Sequence, residues 1–347
     1  MSTATRFAGL DDRTLVVGGI GSVLLAATIL SFLVAPALTG YLVLAFAAFV
    51  FVSALLDEEH TVGFLLFVTT TSTVVILAFI TGYLVWNAVP VVREMGLYLL
   101  VGSDPFWDTG PGVYSLVPMM WGTLVTTLIA TLVAAPLGIA GAVFISEIAP
   151  GWAREIVKPA VEMLAGIPSI VYGFIGVTIL NTFMQQELSL PTFGSLFVTG
   201  VVVGVMALPT VVSVAEDAIA SVPDPMRDGA QALGATDWQT TTSVTLPAAF
   251  SGISAAVLLG VGRAVGETMA ATVILGNVTT LPDPLLDVFG NTITLTSLIA
   301  SQYGVASGNQ FSALFAAGVV LFLTVMALSV GSQLIERRMR RTLGGEQ

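Results

Sequence analysis

Residues 117–145 read VPMMWGTLVTTLIATLVAAPLGIAGAVFI, twenty-nine consecutive positions without one charged side chain. A helix needs about 20 mostly apolar residues to cross a bilayer. The run is far longer than a strand, and its threonines and glycines are tolerable in a membrane helix. The whole chain repeats this character. Of its 347 residues, 55% are hydrophobic and 10% charged, and mean hydropathy is +0.95. Soluble domains are about one quarter charged, so too few charges remain to cover a surface in water. There is no cysteine and one histidine, which removes disulfide scaffolds and Cys/His metal clusters. Basic residues number 11 against 22 acidic ones, a balance that excludes electrostatic binding of nucleic acid. The expected fold is all-α, a polytopic helical membrane protein.

Eight apolar stretches read as spans: 14–34, 38–56, 62–86, 117–145, 167–183, 195–215, 251–275 and 311–335. The first is too long for a cleaved signal peptide, and a second span follows almost at once. With both termini in the cytoplasm, Arg6, Arg13, Arg154, Lys158, Arg227, Arg337, Arg338, Arg340 and Arg341 fall inside and only Arg93 outside. That asymmetry orients a multi-pass protein of the plasma membrane. Segment 87–116 reads as a structured extracytoplasmic loop and 276–310 as a polar one. The expected organisation is an N-terminal part (1–116), a core (117–335) with a cytoplasmic loop (216–250), and a basic tail (336–347). His60 beside Glu58 and Glu59 reads as a solvated loop residue. Glu147 and Glu162, near Arg154 and Lys158, read as a solvated interfacial face. Pro168 and Pro209 read equally as packing kinks or as pathway elements.

The sole lysine, Lys158, has no glycine cradle, so the chain carries no P-loop. No acid, base and nucleophile set stands out, and the chain is expected not to be an enzyme. In the cytoplasmic loop, Asp228-Gly229-Ala230 leads to Gly234, and Val244-Thr245-Leu246-Pro247 follows. This reads as a small-residue helix stopped near Gly234, a turn over 235–237, and a second helix stopped at Pro247. Small residues on an exposed helix allow close approach of another surface, or make an ordinary connector.

Arg263 and Glu267 lie inside the seventh apolar stretch, where an ionisable group costs roughly 2.5–3.5 kcal/mol. Spaced i, i+4, they share a helix face and can pair. Two readings are open: a structural ion pair, or an arginine lining a wet path for an anion. A guanidinium is a planar fork suited to a tetrahedral oxyanion. Glu267 would then offset the charge and accept a hydrogen bond from a protonated oxyanion. Ser169, Tyr172, Thr210 and Asn277 are further hydrogen-bond candidates.

The loop pattern Asp228-Gly229-Ala230, Gly234, Leu246-Pro247 resembles the coupling motif of ABC importer permeases, with Asp for Glu and Gly for Ala at two positions. The run Arg263-Ala264-Val265-Gly266-Glu267-Thr268-Met269-Ala270, ending at Gly276-Asn277, is similar to the signature of phosphate permeases. With Leu164–Gly173 and Gly122–Glu147, the resemblance is to the PstC-like subunits and covers roughly 117–335. It implies a type I ABC importer permease fold with extra N-terminal helices. It implies a PstA-like second permease, a dimer of ATPase subunits that use ATP and Mg, and an extracytoplasmic phosphate-binding protein. Beyond these and membrane lipid no partner is expected, and no cofactor or metal on this chain. Arg263, Glu267, Thr268, Ser169, Tyr172 and Asn277 would line the substrate pathway. Asp228, Gly229, Ala230, Gly234, Leu246 and Pro247 would form the ATPase-coupling element. The alternatives are a permease for another oxyanion, sulfate or molybdate, or an ion-driven secondary carrier.

Apart from Arg263 and Glu267, nearly every charge falls in loops or tails, so the acidic excess belongs to the wet surface. Such a surface suits very salty surroundings, those of a halophile, where screening is strong. The purified complex is expected to lose activity and stability at low salt; full activity there contradicts this.

Overall fold

The computed structural model describes residues 12–188 and 193–343. Arg6 and residues 344–347 lie outside the described residues, as do the side chains of the tail arginines 337–341. The chain divides into two compact units, Met1–Tyr83 and Leu84–Gln347. The elements in chain order are α1 (Asp12–Val34), α2 (Pro36–Leu56), α3 (Glu58–Met95), α4 (Tyr98–Val101), β1 (Trp107–Asp108), β2 (Val113–Tyr114), α5 (Val117–Val143), α6 (Gly151–Ala165), α7 (Ser169–Ile175), α8 (Thr182–Leu188), α9 (Leu196–Ala220), α10 (Asp224–Ala232), α11 (Asp237–Thr240), α12 (Leu246–Val265), α13 (Met269–Ile274), α14 (Leu295–Gln302) and α15 (Gly308–Leu343). Three π-helical turns interrupt them, at Phe144–Ile148, Gly176–Asn181 and Thr241–Thr245. The two short strands pair antiparallel as a hairpin. Among the described residues, seven helices are long and apolar enough to cross a membrane, and the bent pair α6/α7–α8 makes an eighth span if counted as one.

In the first unit, α1 and α2 join at Ala35, and Pro36 sits in the first turn of α2, where its missing N–H costs nothing. Gly21 of α1 lies against Phe64 and Phe49. Ser53 and Thr61 share a buried hydrogen bond of 2.7 Å, so these two hydroxyls satisfy one another away from water. His60 is not a solvated loop residue. It stands in the first turn of α3 with Nδ1 2.7 Å from Asp57 Oδ1, and both side chains are largely covered. The third apolar stretch also runs past residue 86. α3 continues to Met95, 38 residues in all. At 1.5 Å per residue that is about 57 Å, well beyond the roughly 30 Å hydrocarbon core.

The second unit is built around α9. Ser195 caps it, its Oγ accepting from the amides of Phe197 and Val198. Most of its side chains are buried. With α5 and α12 it forms a core of Ala134, Ala142, Ala207, Val211, Ala215 and Ala256, among others. Small residues set the spacing here. A Cβ on Gly200 would stand 2.5 Å from Ile129 Cβ, and one on Gly204 would stand 2.8 Å from Val133 Cβ. Three threonines of α5 satisfy their hydroxyls by donating back one turn: Thr123 to Met119 (2.8 Å), Thr126 to Gly122 (2.7 Å) and Thr131 to Thr127 (2.8 Å). The hairpin packs Trp107 edge-on to Tyr114, and Trp107 Nε1 donates to Gln302 of α14.

Three expectations need correction. Stretch 167–183 does not stand alone as a straight span: α6 and the helix from Ser169 meet at 90° across residues 166–168. Pro168 disfavours helical backbone at Ile167 and becomes the N-cap of α7. Stretch 251–275 is broken, because α12 ends at Val265 and α13 begins only at Met269. No helix stops at Pro247. The wide turn Thr241–Thr245 precedes it, Pro247 falls in the first turn of α12, and Asp237–Val265 forms one span.

Over-packing the α5–α9 contact should cost about 1–3 kcal/mol. Gly204→Leu is therefore expected to lower the thermal midpoint of the detergent-purified chain by several degrees. An unchanged midpoint contradicts the close approach.

Candidate functional site

Arg263 occupies the last turn of α12, where a positive charge meets unpaired carbonyls favourably. The helix closes on Gly266, whose amide donates to Gly262 at 3.2 Å, while the Glu267 amide donates to Ala264 at 3.3 Å. Arg263 Nε donates to the carbonyl of Met206 on α9 at 3.1 Å. Pro209, in the same stretch of α9, has no N–H for the Val205 carbonyl. The turn it loosens is the one from which Met206 presents its oxygen to Arg263.

Glu267 does not pair with Arg263, contrary to the i, i+4 expectation. The helix ends between them, so they no longer share a face. Glu267 Oε1 instead accepts from the Ala270 amide at 3.0 Å, capping the start of α13, where a carboxylate is favoured. Its main-chain carbonyl accepts from Thr296 Oγ1 at 2.7 Å. Thr268 Oγ1 donates to the Gly266 carbonyl at 3.1 Å. Each polar group at the break thus satisfies a backbone end.

α7 is pressed onto α13 at Gly173, where a Cβ would come 2.9 Å from Ala270 Cα. This brings Tyr172 into one cluster with Met206, Ala270 and Ile274. Its hydroxyl donates to the Leu164 carbonyl at 3.0 Å across the α6–α7 bend. Arg263 binds the carbonyl of that same Met206. Ser169, partly exposed, lies one turn earlier on α7. Arg263, Tyr172, Glu267 and Thr268 therefore converge on the break after α12. Asn277 does not join them. It sits past the far end of α13, exposed, with φ 55°, a left-handed turn position that asparagine tolerates. Arg263 itself is exposed on this chain. Val261 and Val265, two residues to either side and so on the opposite flank of α12, line a separate apolar chamber of about 620 Å³ with Leu124 and Leu128.

The loop between α9 and α12 has well-defined turns. α10 ends in a Schellman motif: the Ala235 amide donates to Ala230 at 3.1 Å and the Gly234 amide to Gln231 at 2.9 Å, with Gly234 at φ +89°. Thr236 and Gln239 then form a capping box that starts α11. No residue of α10 is buried, and no atom lies close to Gly229. Sequence reading missed the apolar side chains displayed beside the motif. Met226 is 46%, Trp238 62% and Leu233 91% exposed. Their signal was present, since large apolar residues in a polar loop have no core to enter. Leu246 and Pro247 belong to the start of α12, apart from this exposed face.

Glu147 does not belong to a solvated face. Its side chain is only 12% exposed and lies 3.2 Å from Arg227 of α10. Glu162 is exposed, as expected.

A family model described as binding-protein-dependent transport system inner membrane component matches residues 134–341. The chain belongs to that family. Relatives of this inner membrane component include the probable ABC transporter permease protein YqgH of Bacillus subtilis, 43% identical over 244 residues, covering 67% of this chain and 78% of the relative. The phosphate transport system permease protein PstC of Haemophilus influenzae is 34% identical, covering 75% and 86%. PstC of Xylella fastidiosa is 33% identical, covering 83% and 94%. Among solved structures, a chain of the bacterial alginate ABC transporter matches with TM-score 0.57 at 16% identity, covering 81% of this chain and 97% of that one. A chain of the inward-facing MetNI methionine ABC transporter matches at 0.53 and 19%, covering 67% and 99%. At such identities the likeness shows the fold, which is the type I importer permease fold.

Proposed function

We propose that this inner membrane component is the phosphate-translocating permease of an ATP-driven importer. Its PstC-named relatives support the cargo, and the Arg263 site supports the chemistry. A guanidinium in an apolar span is expensive facing lipid. Arg263 is exposed on the chain's own surface and held by a single carbonyl, so it needs a wet path or a second subunit over it. Both are supplied if a PstA-like permease completes the pathway at this face. Arg263 then offers its remaining N–H groups to a tetrahedral oxyanion, with Tyr172 and Thr268, whose hydroxyls here bond the Leu164 and Gly266 carbonyls, as further pathway candidates. Glu267, already capping α13, keeps negative charge close by, which weakens the site enough for release. It also favours an oxyanion that carries a proton to donate.

In this reading the loop of Asp228, Gly229, Ala230 and Gly234 docks on a dimer of ATPase subunits, which hold ATP and Mg. Exposed Leu233 and Trp238 supply the apolar contact that small residues alone lack. An extracytoplasmic binding protein delivers phosphate at the opposite mouth, and both termini lie in the cytoplasm. The conformational change is alternating access, and this chain breaks no bond.

Arg263→Gln is expected to abolish phosphate uptake in proteoliposomes while the complex still co-purifies. Normal uptake by this variant would make Arg263 purely structural. In the same assay unlabelled phosphate competes, whereas sulfate and molybdate do not; competition by either would move the cargo to another oxyanion.

A further inference from the structure

The π-helical turn Phe144–Ile148 that ends α5 is gripped from two sides. On one, Arg154 of α6 donates Nε to the Ile145 carbonyl at 2.7 Å and Nη2 to the Ser146 carbonyl. On the other, the Glu147 carboxylate meets Arg227 of α10. Arg227 Nη2 lies 3.2 Å from Glu147 Oε1 and also donates to the Ile219 carbonyl, at the end of α9, at 2.8 Å. Thr241 Oγ1, in the π-helical turn that opens toward α12, stands 3.4 Å from Glu147 Oε2. One carboxylate and one guanidinium thus join the ends of three spans, α5, α9 and α12, to the exposed loop. Both side chains are mostly covered, 12% and 23% exposed, so the pair is shielded from the screening that makes surface pairs weak. Lys158 of α6 adds a bridge to Glu216 of α9 on the same end.

α9 continues from this joint to the anion site. Ile219, which Arg227 holds, and Met206, which Arg263 holds, lie thirteen residues apart on one helix, about 20 Å at 1.5 Å per residue. The chain itself ties α10 to α9 and, through α11, to α12; the Arg227–Glu147 pair adds a side-chain link from α10 to the end of α5.

We propose that the Arg227–Glu147 pair is the mechanical joint that turns movement of the loop into movement of the spans, with α9 as the lever reaching Arg263. Arg227 and Glu147 are positioning residues, touching neither ATP nor cargo. The inference rests on the importer reading above and adds to it which contact carries the force.

The test uses the complete transporter in proteoliposomes: both permeases, the ATPase subunits and the binding protein. Phosphate uptake and ATP hydrolysis are measured together. Glu147→Gln keeps the shape and removes the charge. It is expected to leave the complex assembled and hydrolysing ATP, but to lower phosphate transported per ATP at least tenfold. Arg227→Gln is expected to do the same, and the double variant no worse than either, as for partners in one contact. Glu147→Asp is expected to recover much of the ratio, which a merely structural role would not require. Wild-type coupling in Glu147→Gln, or additive losses in the double variant, overturns the joint. If Glu147→Gln fails to assemble, Arg227→Gln carries the test, and a wild-type ratio in that variant overturns the joint. Failure of the unaltered chain to assemble with an ATPase would instead overturn the importer reading.

Discussion

One hydrogen bond organises the membrane part of this protein, from Arg263 Nε to the carbonyl of Met206. A guanidinium cannot be neutralised, so an apolar bundle must satisfy it or exclude it. Here it is placed where a helix ends, at the negative pole of α12, against a carbonyl beside a proline. The break at 266–268 follows the same logic. Ending α12 there opens its last carbonyls toward the charge and lets Glu267 turn away to cap α13. Had the helix run on, Arg263 and Glu267 would have faced each other and spent their charges on one another.

The same helix that supplies Met206 also receives the loop. α9 is the most buried of the spans, cushioned by alanine, valine and glycine against α5 and α12. Such close contact holds it against both neighbours, while Pro209, between Met206 and Ile219, leaves one backbone bond of the helix unmade. Its loop-facing end is held through Glu216 and the Ile219 carbonyl, its middle by Arg263. The exposed loop and Arg263 thereby both make contact with one helix, α9, at points thirteen residues apart.

Much of this was legible in the sequence. Long apolar runs, the small residues around Gly234 and the charge within the seventh stretch each carry a direct physical cost or licence. The fold class and the presence of the loop follow from them, and the cost of a charge in an apolar stretch singles out Arg263. What the sequence concealed were events at helix ends. An i, i+4 spacing implies pairing only while the helix continues, and Gly266 stopped it. Pro247 reads as a terminator, yet a π-helical turn just before it absorbs the missing amide and the helix goes on. Likewise, Glu147 and Arg227 lie far apart along the chain, and only the packing of α5 beside α9 brings them together. Spacing rules speak to neighbours on one element, and these contacts cross between elements.

The central claim is that Arg263 faces a water-filled anion path. The chain has no cysteine, so Arg263→Cys introduces its sole thiol. The most direct measurement is the labelling of that thiol by a charged, membrane-impermeant reagent in the assembled complex, with the unaltered chain as control. The account predicts labelling whose rate changes with nucleotide. A thiol inert to the reagent under every nucleotide condition would place Arg263 away from water and contradict the path.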